Sequence, residues 1–289
     1  MEKISLVVIT YNEENNIRDC LNSLINLDYK NYEIIVVDAS TDRTREIVKE
    51  FKNVKLVLSD NKKYGYQRNL GIKNSKYNLI AFTDADCIPP KDWLINLTEN
   101  IKNNDCVGGS VRNPEHSNLI ENGITALGFP AGGSLGIESF GTLSTCNCLF
   151  KKEIFDKIGF FNESLVYGGE DSELMERVKK NGFKIKLSND CFVFHKPRNF
   201  KSFLKWNFKR GIARYNLYKN FGHFFMPLVV IVFPFSKKFR VLVNRKKEAN
   251  LSLFNIFTIV IFLFFLRQLF MTFGWIYGFG QSISREKEY

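Results

Sequence analysis

YNLIAFTDADCIPP, residues 77–90, decides how the chain is read. Its first half is a continuous apolar run, the pattern of a strand buried on both faces, and a pair of prolines stops it. At the mouth of that strand stand Asp84 and Asp86, one residue apart. Side chains alternate along an extended backbone, so both carboxylates are expected on one face. Two carboxylates that close repel unless something positive lies beside them. A hard divalent cation, Mg2+ or Mn2+, meets that demand when phosphate oxygens complete its shell. A solvated turn accounts for the same two letters, and it is the place at the end of a buried run that favours the cation.

Working outward, ISLVVIT (4–10) and YEIIVVD (32–38) are further buried runs, with a helical stretch between them that spaces Ile17, Cys20, Leu21, Leu24 and Leu27 along one face. TREIVKEF (44–51) predicts a second helix, VKLVLS (54–59) a third strand and GYQRNLGIKNS (65–75) a third helix leading into the opening stretch. The first hundred residues therefore read β-α-β-α-β-α-β, a doubly wound α/β layout in which ligands bind at the carboxyl ends of the strands. The residues there are polar each time: Thr10-Tyr11-Asn12-Glu13, Asp38-Ala39-Ser40 and Asp84-Ala85-Asp86. Neither a GxGxxG after the first strand nor a GxxxxGK[ST] occurs, which argues against a dinucleotide enzyme and a P-loop.

The middle of the chain is less regular. CVGGS (106–110) is a candidate edge strand, AGGSLGIESFGTLST (131–145) reads as a mobile Gly/Ser-rich loop, and FKKEIFDKIGFF (150–161) as a helix ended by Gly159. LVYGGEDSELMERVKKNGF (165–183) places Glu170-Asp171 at the start of a helix. One of that pair is either a helix cap or a general base held near a hydroxyl. KIKLSNDCFVFHK (184–196) is a strand delivering His195, read either as an ordinary strand-end histidine or as a neutral ligand to the same metal.

Charge divides the chain of 289 residues unevenly around its formal +11. Residues 1–190 hold 24 basic and 27 acidic side chains, residues 191–289 hold 17 and 3. The basic third is also rich in aromatic and aliphatic residues, which argues for membrane lipids as its partner and against nucleic acid. FKSFLKWNFKRGIARYNLYKNF (200–221) carries an apolar stripe flanked by Lys201, Lys205, Lys209, Arg210 and Arg214. It is expected to lie in a membrane interface, the alternative being a helix packed on a core. FFMPLVVIVFPF (224–235) is too short to span and reads as re-entrant, whereas 251–280 forms a transmembrane segment or, interrupted at Arg267-Gln268, a hairpin. The basic loop 236–247 then belongs on the cytoplasmic side. The N-terminus shows no cleavage site, and six cysteines lack the spacing of a zinc site, so a reduced, cytosol-facing catalytic part is expected.

Taken together, VVITYNEENNIRDCLNSL, VVDASTDRT, QRNLGI, TDAD, GGEDSELMERVKKNG and HKPR come in the order and spacing of family 2 glycosyltransferases, and the resemblance covers roughly residues 3–200. It implies a GT-A fold, a Rossmann-like, mainly parallel mixed sheet with helices on both faces, over residues 1–199. Interfacial (200–222) and membrane-associated (223–289) segments follow. It further implies inverting transfer from a nucleotide-diphosphate sugar, a UDP- or GDP-sugar, with a divalent metal on the diphosphate. Carried over by position, the resemblance makes Thr10, Tyr11 and Glu13 the floor of the nucleotide pocket, Asp38 the contact to the base and Arg68 the basic residue beside it. Asp84 lies near the ribose, Asp86 and His195 hold the metal, Asp171 is the general base and Glu170 orients the acceptor. The Gln-x-x-Arg-Trp of processive members is absent from FLKWNFKRG (203–211), so polymer synthesis is not expected. The tail resembles enzymes that build lipid-linked glycans one sugar at a time at the cytoplasmic membrane face. Arg198, Arg210 and Arg214 are then candidates for a lipid phosphate, the alternative for Arg210 and Arg214 being contact with lipid headgroups alone. A polyprenyl-phosphate sugar synthase resembling dolichol-phosphate mannose synthases is the runner-up, and a non-catalytic sugar-nucleotide-binding protein the third reading.

Overall fold

A computed structural model describes residues 2–114, 118–127, 143–166, 168–196, 199–221, 252, 254 and 256–286. In chain order the elements are β1 (Ile4–Thr10), α1 (Ile17–Ile25), β2 (Tyr32–Asp38), α2 (Thr44–Lys49), β3 (Val54–Leu58), α3 (Tyr64–Lys73), β4 (Leu79–Asp84), β5 (Cys87–Ile88) and α4 (Trp93–Ile101). They continue with β6 (Cys106–Arg112), α5 (Leu119–Ala126), β7 (Asn147–Lys151), α6 (Glu153–Ile158), α7 (Glu170–Lys180), β8 (Ile185–His195) and α8 (Phe200–Phe221). A π-helical turn (Ile256–Val260) leads into α9 (Ile261–Glu286). The chain groups into two compact units, residues 1–112 with 140–163 and 170–196, and residues 113–139 with 164–169 and 197–289.

The first unit is built on one sheet in the order β3-β2-β1-β4-β7-β6-β8-β5. β3, β2, β1 and β4 are parallel neighbours, as the alternation of apolar runs and helices predicts. β7 then pairs antiparallel with both β4 and β6, β6 is parallel to β8, and β8 is antiparallel to β5. β1 is buried along its whole length because α helices cover both faces of a parallel sheet. Val7, Ile35, Ile80, Phe82, Phe150, Phe155 and Met175 belong to the main core, with the Phe82 ring edge-on to Phe150, Phe155 and Phe161.

Three local expectations change. The strand read at 106–110 as an edge is interior, between β7 and β8, and its glycines explain why. A Cβ at Gly109 would collide with the Cys191 carbonyl where the β6–β8 register shifts, so glycine there permits an approach that other residues block. Phe150 and Lys151 end a strand rather than begin a helix, and the following helix stops at Gly159 with φ +83°. Asp84 is the last residue of β4, but Ala85-Asp86 form a turn, so the alternation argument does not extend to Asp86.

The second unit is helical among its described residues. Ile124, Leu127, Phe203, Val260 and Leu263 form its core. Gly211 of α8 lies against Met271 and Gly274 of α9, Gly274 against the Phe208 carbonyl, and Tyr215 meets Trp275 edge-on. Because 203 is level with 260–263 and 215 with 275–279, the two helices run side by side in the same direction. α8 thus packs part of its apolar stripe on α9, the alternative the sequence left open. α9 continues unbroken through Arg267-Gln268, so residues 261–280 are one helix and not a hairpin. Arg267 Nη1 donates to the Leu127 carbonyl. Thr258–Gln281 is long and apolar enough to cross a membrane, with mean hydropathy 1.9, and Phe262, Phe265, Phe273 and Ile276 on it are exposed. The segment read as re-entrant (224–235), the basic loop 236–247, the Gly/Ser-rich stretch 131–142 and Arg198 lie outside the described residues.

Candidate active site

Two groups of residues gather at the carboxyl ends of β1, β2 and β4. Register pairs Thr10 with Asp38 and Ile9 with Asp84, so β1 separates the two aspartates by two strand spacings, about 10 Å.

The first group surrounds Asp38, which is fully buried. Thr10 Oγ1 donates to its Oδ1 at 2.6 Å, the Ser40 amide donates to the same oxygen at 3.2 Å, and Arg45 Nε meets Oδ2 at 3.1 Å. Asn12, at φ +58°, turns the chain leaving β1 back toward β2. Its amide donates to Ser40 Oγ at 2.8 Å, and its Oδ1 accepts from the Thr41 amide at 2.9 Å. Asparagine tolerates that left-handed conformation better than most residues. Tyr11 is 39% exposed, with Lys62 Nζ 5.1 Å from its ring centre, a surface open to a flat ring. Glu13 Oε2 accepts from Asn16 Nδ2 at 2.6 Å at the approach to α1. With its amide nitrogen turned toward them, buried Gln67 donates to the Thr10 and Val37 carbonyls at 3.1 and 2.8 Å.

The second group is charged. Arg68, 4% exposed on α3, makes a 2.5 Å contact to Glu170 Oε1 and a 3.3 Å contact to Asp84 Oδ1. The Tyr64 and Phe161 rings flank its guanidinium at 5.8 Å. Burial works to lower the Arg68 pKa, but Glu170 and Asp84 hold it above its ordinary value. Burial pushes Glu170 upward while Arg68 pulls it back. The other Glu170 oxygen, Oε2, is buried and has no hydrogen-bond partner among the described residues. Asp171 follows on the half-buried first turn of α7, where a carboxylate gains from the helix dipole, and its Oδ1 accepts from the Ser172 amide at 2.7 Å.

Beside this lies Asp86. Its Oδ1 is 3.1 Å from His195 Nε2, and both side chains are almost completely buried. The Lys196 amide donates to the Asp86 carbonyl at 3.0 Å, and His195 Nδ1 faces the Lys196 carbonyl at 2.9 Å, which fixes the ring. Burial alone would lower the His195 pKa, yet the Asp86 carboxylate raises it to about 9. Asp86, Cys87 and His195 each offer one donor atom, all within 4.8 Å of one another, so oxygen, sulfur and nitrogen converge where a divalent ion would fit.

The structure thus joins Thr10 to Asp38 at the strand ends beside Tyr11, and gathers Asp84, Arg68 and Glu170 in one ion network. It moves Arg68: the cation beside Asp38 is Arg45, while Arg68 bridges Asp84 and Glu170. One Glu170 oxygen is taken by Arg68. In the second unit, Arg210 stacks 4.4 Å over the Trp206 ring, and burial followed by the charge of Arg210 lowers the Arg214 pKa to about 10. Arg45 and Asn12 escaped sequence reading because their partners are seven and twenty-eight to twenty-nine residues away, across turns.

Residues 5–159 match the model of Glycosyl transferase family 2. The chain is a family 2 glycosyltransferase. Residues 138–199 of the enzyme also match the N-terminal domain of galactosyltransferase. It is 30% identical over 220 residues to glycosyltransferase AglE of Haloferax volcanii, an alignment covering 72% of this chain and 71% of AglE. To a Methanococcus voltae enzyme described as dolichyl N-acetyl-alpha-D-glucosaminyl phosphate 3-beta-D-2,3-diacetamido-2,3-dideoxy-beta-D-glucuronosyltransferase it is 27% identical over 279 residues, covering 80% and 82%. Mannosyltransferase PcManGT of Pyrobaculum calidifontis, solved in complex with GDP-Man and Mn2+, superposes with a TM-score of 0.66 at 16% identity, covering 96% of this chain and 87% of the other. That likeness places the transferase in the GT-A fold.

Proposed function

We propose that this glycosyltransferase moves a sugar, with inversion, from a nucleotide-diphosphate sugar to a hydroxyl of a lipid-linked glycan at the cytoplasmic face of the membrane. The observation that carries the reading is the buried Asp86–His195 pair beside the Asp84–Arg68–Glu170 network, whose Asp84 lies two strand spacings from Asp38. The nucleoside fits the Asp38 end: Tyr11 offers a face for the base, and the Asp38 carboxylate, held rigid by Thr10 and Arg45, accepts from base N–H groups. Asp84, the more exposed partner of Arg68, reaches the ribose. Asp86 and His195 would hold Mg2+ or Mn2+, which would supply positive charge against the leaving diphosphate.

Asp171 takes the proton from the acceptor hydroxyl as its oxygen attacks the anomeric carbon on the face opposite the diphosphate. Glu170 steadies this arrangement through Arg68, and its unpaired Oε2 is the remaining acceptor beside the base. The acceptor class rests on the Methanococcus relative, whose description specifies a dolichyl-linked sugar phosphate, and on the exposed apolar face of α9. Arg210 and Arg214, together with Arg198, would meet the lipid phosphate. The domain division follows: a catalytic part through residue 199, an interfacial helix and a membrane anchor.

The test is transfer by membranes holding the full chain, given UDP- and GDP-sugars and a polyprenyl-diphosphate glycan, with products read by mass spectrometry. Asp171→Asn is expected to lower kcat by about 100- to 10,000-fold, the range for loss of a general base. Wild-type turnover in that variant would overturn the assignment. Labelled sugar on polyprenyl phosphate itself would instead favour the synthase reading.

A further inference from the structure

We propose that Cys87 is a third metal ligand of this enzyme, so that the site is an Asp-Cys-His set with a soft donor that favours softer divalent ions over Mg2+. The inference rests on the metal site proposed for Asp86 and His195 and adds to it a sulfur that the two-residue set lacks. β5 is two residues long and pairs antiparallel with the end of β8, setting Cys87 directly opposite His195. Facing residues of an antiparallel pair project to the same side, with Cβ atoms about 4.5–5.5 Å apart. Asp86 is the preceding residue in the turn, and the three donor atoms lie within 4.8 Å of one another. Cys87 is fully buried, and Asp86 and His195 nearly so, which removes competing water from all three.

The competing account is a cysteine that merely fills the core. A buried free thiol behaves as a small hydrophobe, and without a cation nothing more is asked of it. A divalent ion changes the balance, because a coordinating thiol is deprotonated outright. The S–H bond is replaced by a metal–sulfur bond, the proton goes to solvent, and no electron is transferred. Mg2+ selects oxygen ligands in a strict octahedron, whereas thiolate and imidazole donors suit softer divalent ions such as Co2+, Zn2+ and Cd2+. The same tetrad of letters, Asp84-Ala85-Asp86-Cys87, thus holds the determinant of which ion is taken.

The test titrates the whole 289-residue chain with Co2+ and with Cd2+, in the presence of UDP and, separately, of GDP. Sulfur-to-metal charge-transfer absorption in the near ultraviolet is expected in the wild type and in Cys146→Ser, and is expected to vanish in Cys87→Ser while the visible Co2+ bands persist. Cys87→Ala serves as the second variant should serine at this buried position prevent folding. The preference for Cd2+ over Mg2+ is expected to fall by about 10- to 100-fold in either variant, a loss of the size seen on removing a metal-site partner. Co2+ bound without a charge-transfer band, or a band that survives in the Cys87 variants, would overturn the assignment of Cys87 and leave the Asp86–His195 site standing. No Co2+ bound to the wild type would overturn the metal site itself.

Discussion

At the scale of single residues, Arg68 is the centre of the charged network. Its cation lies between two carboxylates that the chain brings from β4 and α7, 16 and 102 residues away. Removing one member of a buried ion pair leaves an uncompensated charge, and Arg68→Ala is expected to cost about 3–5 kcal/mol of stability, measured by urea unfolding. Arg68→Met is expected to cost as much, since the apolar stem fills the space but leaves Glu170 unpaired, whereas Arg68→Lys keeps the charge and loses the fork that serves two partners. Equal stability of the Met variant and the wild type would show that the pair contributes nothing. Asp84, Asp86 and His195 were all visible as letters, but their partners were not. Nothing in TDAD says that its first aspartate faces an arginine and its second a histidine, because that division depends on the turn at 85–86.

At the scale of elements, β6, β7 and β8 are tied at one end by Asp105. Its Oδ1 meets Lys151 Nζ at 3.0 Å, and its Oδ2 accepts from the Lys184 amide at 2.8 Å. Burial would raise its pKa, but the Lys184 amide and then Lys151 hold it below the usual carboxylate range. A depressed carboxylate contributes stability that is present above the unfolded pKa and is lost as pH falls through the folded value. Asp105→Asn is therefore expected to lose roughly 1–2 kcal/mol at neutral pH. The difference from wild type should shrink once the pH drops below about 4, the ordinary carboxylate range, and unfolding at pH 7 and pH 3 measures it. Gly109→Ala tests the same region: its Cβ would meet the Cys191 carbonyl, and destabilisation of more than about 3 kcal/mol is expected from thermal melts. The four parallel strands were legible because a strand buried on both faces must be apolar throughout. β6 was misread as an edge because glycine-rich runs carry no facing pattern, and β5 escaped notice because two residues carry no period at all.

For the whole molecule, the exposed apolar face of α9 and the basic residues of α8 predict membrane attachment through the C-terminal third. A chain ending at Lys196 is expected to leave the membrane fraction on sedimentation, while the full chain resists alkaline extraction; a truncated chain that stays with the membrane would place the anchor elsewhere. The sequence by itself determined the parallel half of the sheet, the basic and apolar composition of the tail and the family, because strand burial, charge asymmetry and motif spacing are all written locally along the chain. Only the tertiary structure decided that Arg68 serves Glu170 and Asp84, that Arg45 serves Asp38, that α8 rests on α9 through Gly211 and Gly274, and that Cys87 faces His195. Those pairings depend on strand register, on helix contact and on where turns fall. Each is a three-dimensional coincidence of residues far apart in the chain, and no local pattern of hydrophobicity or charge records it.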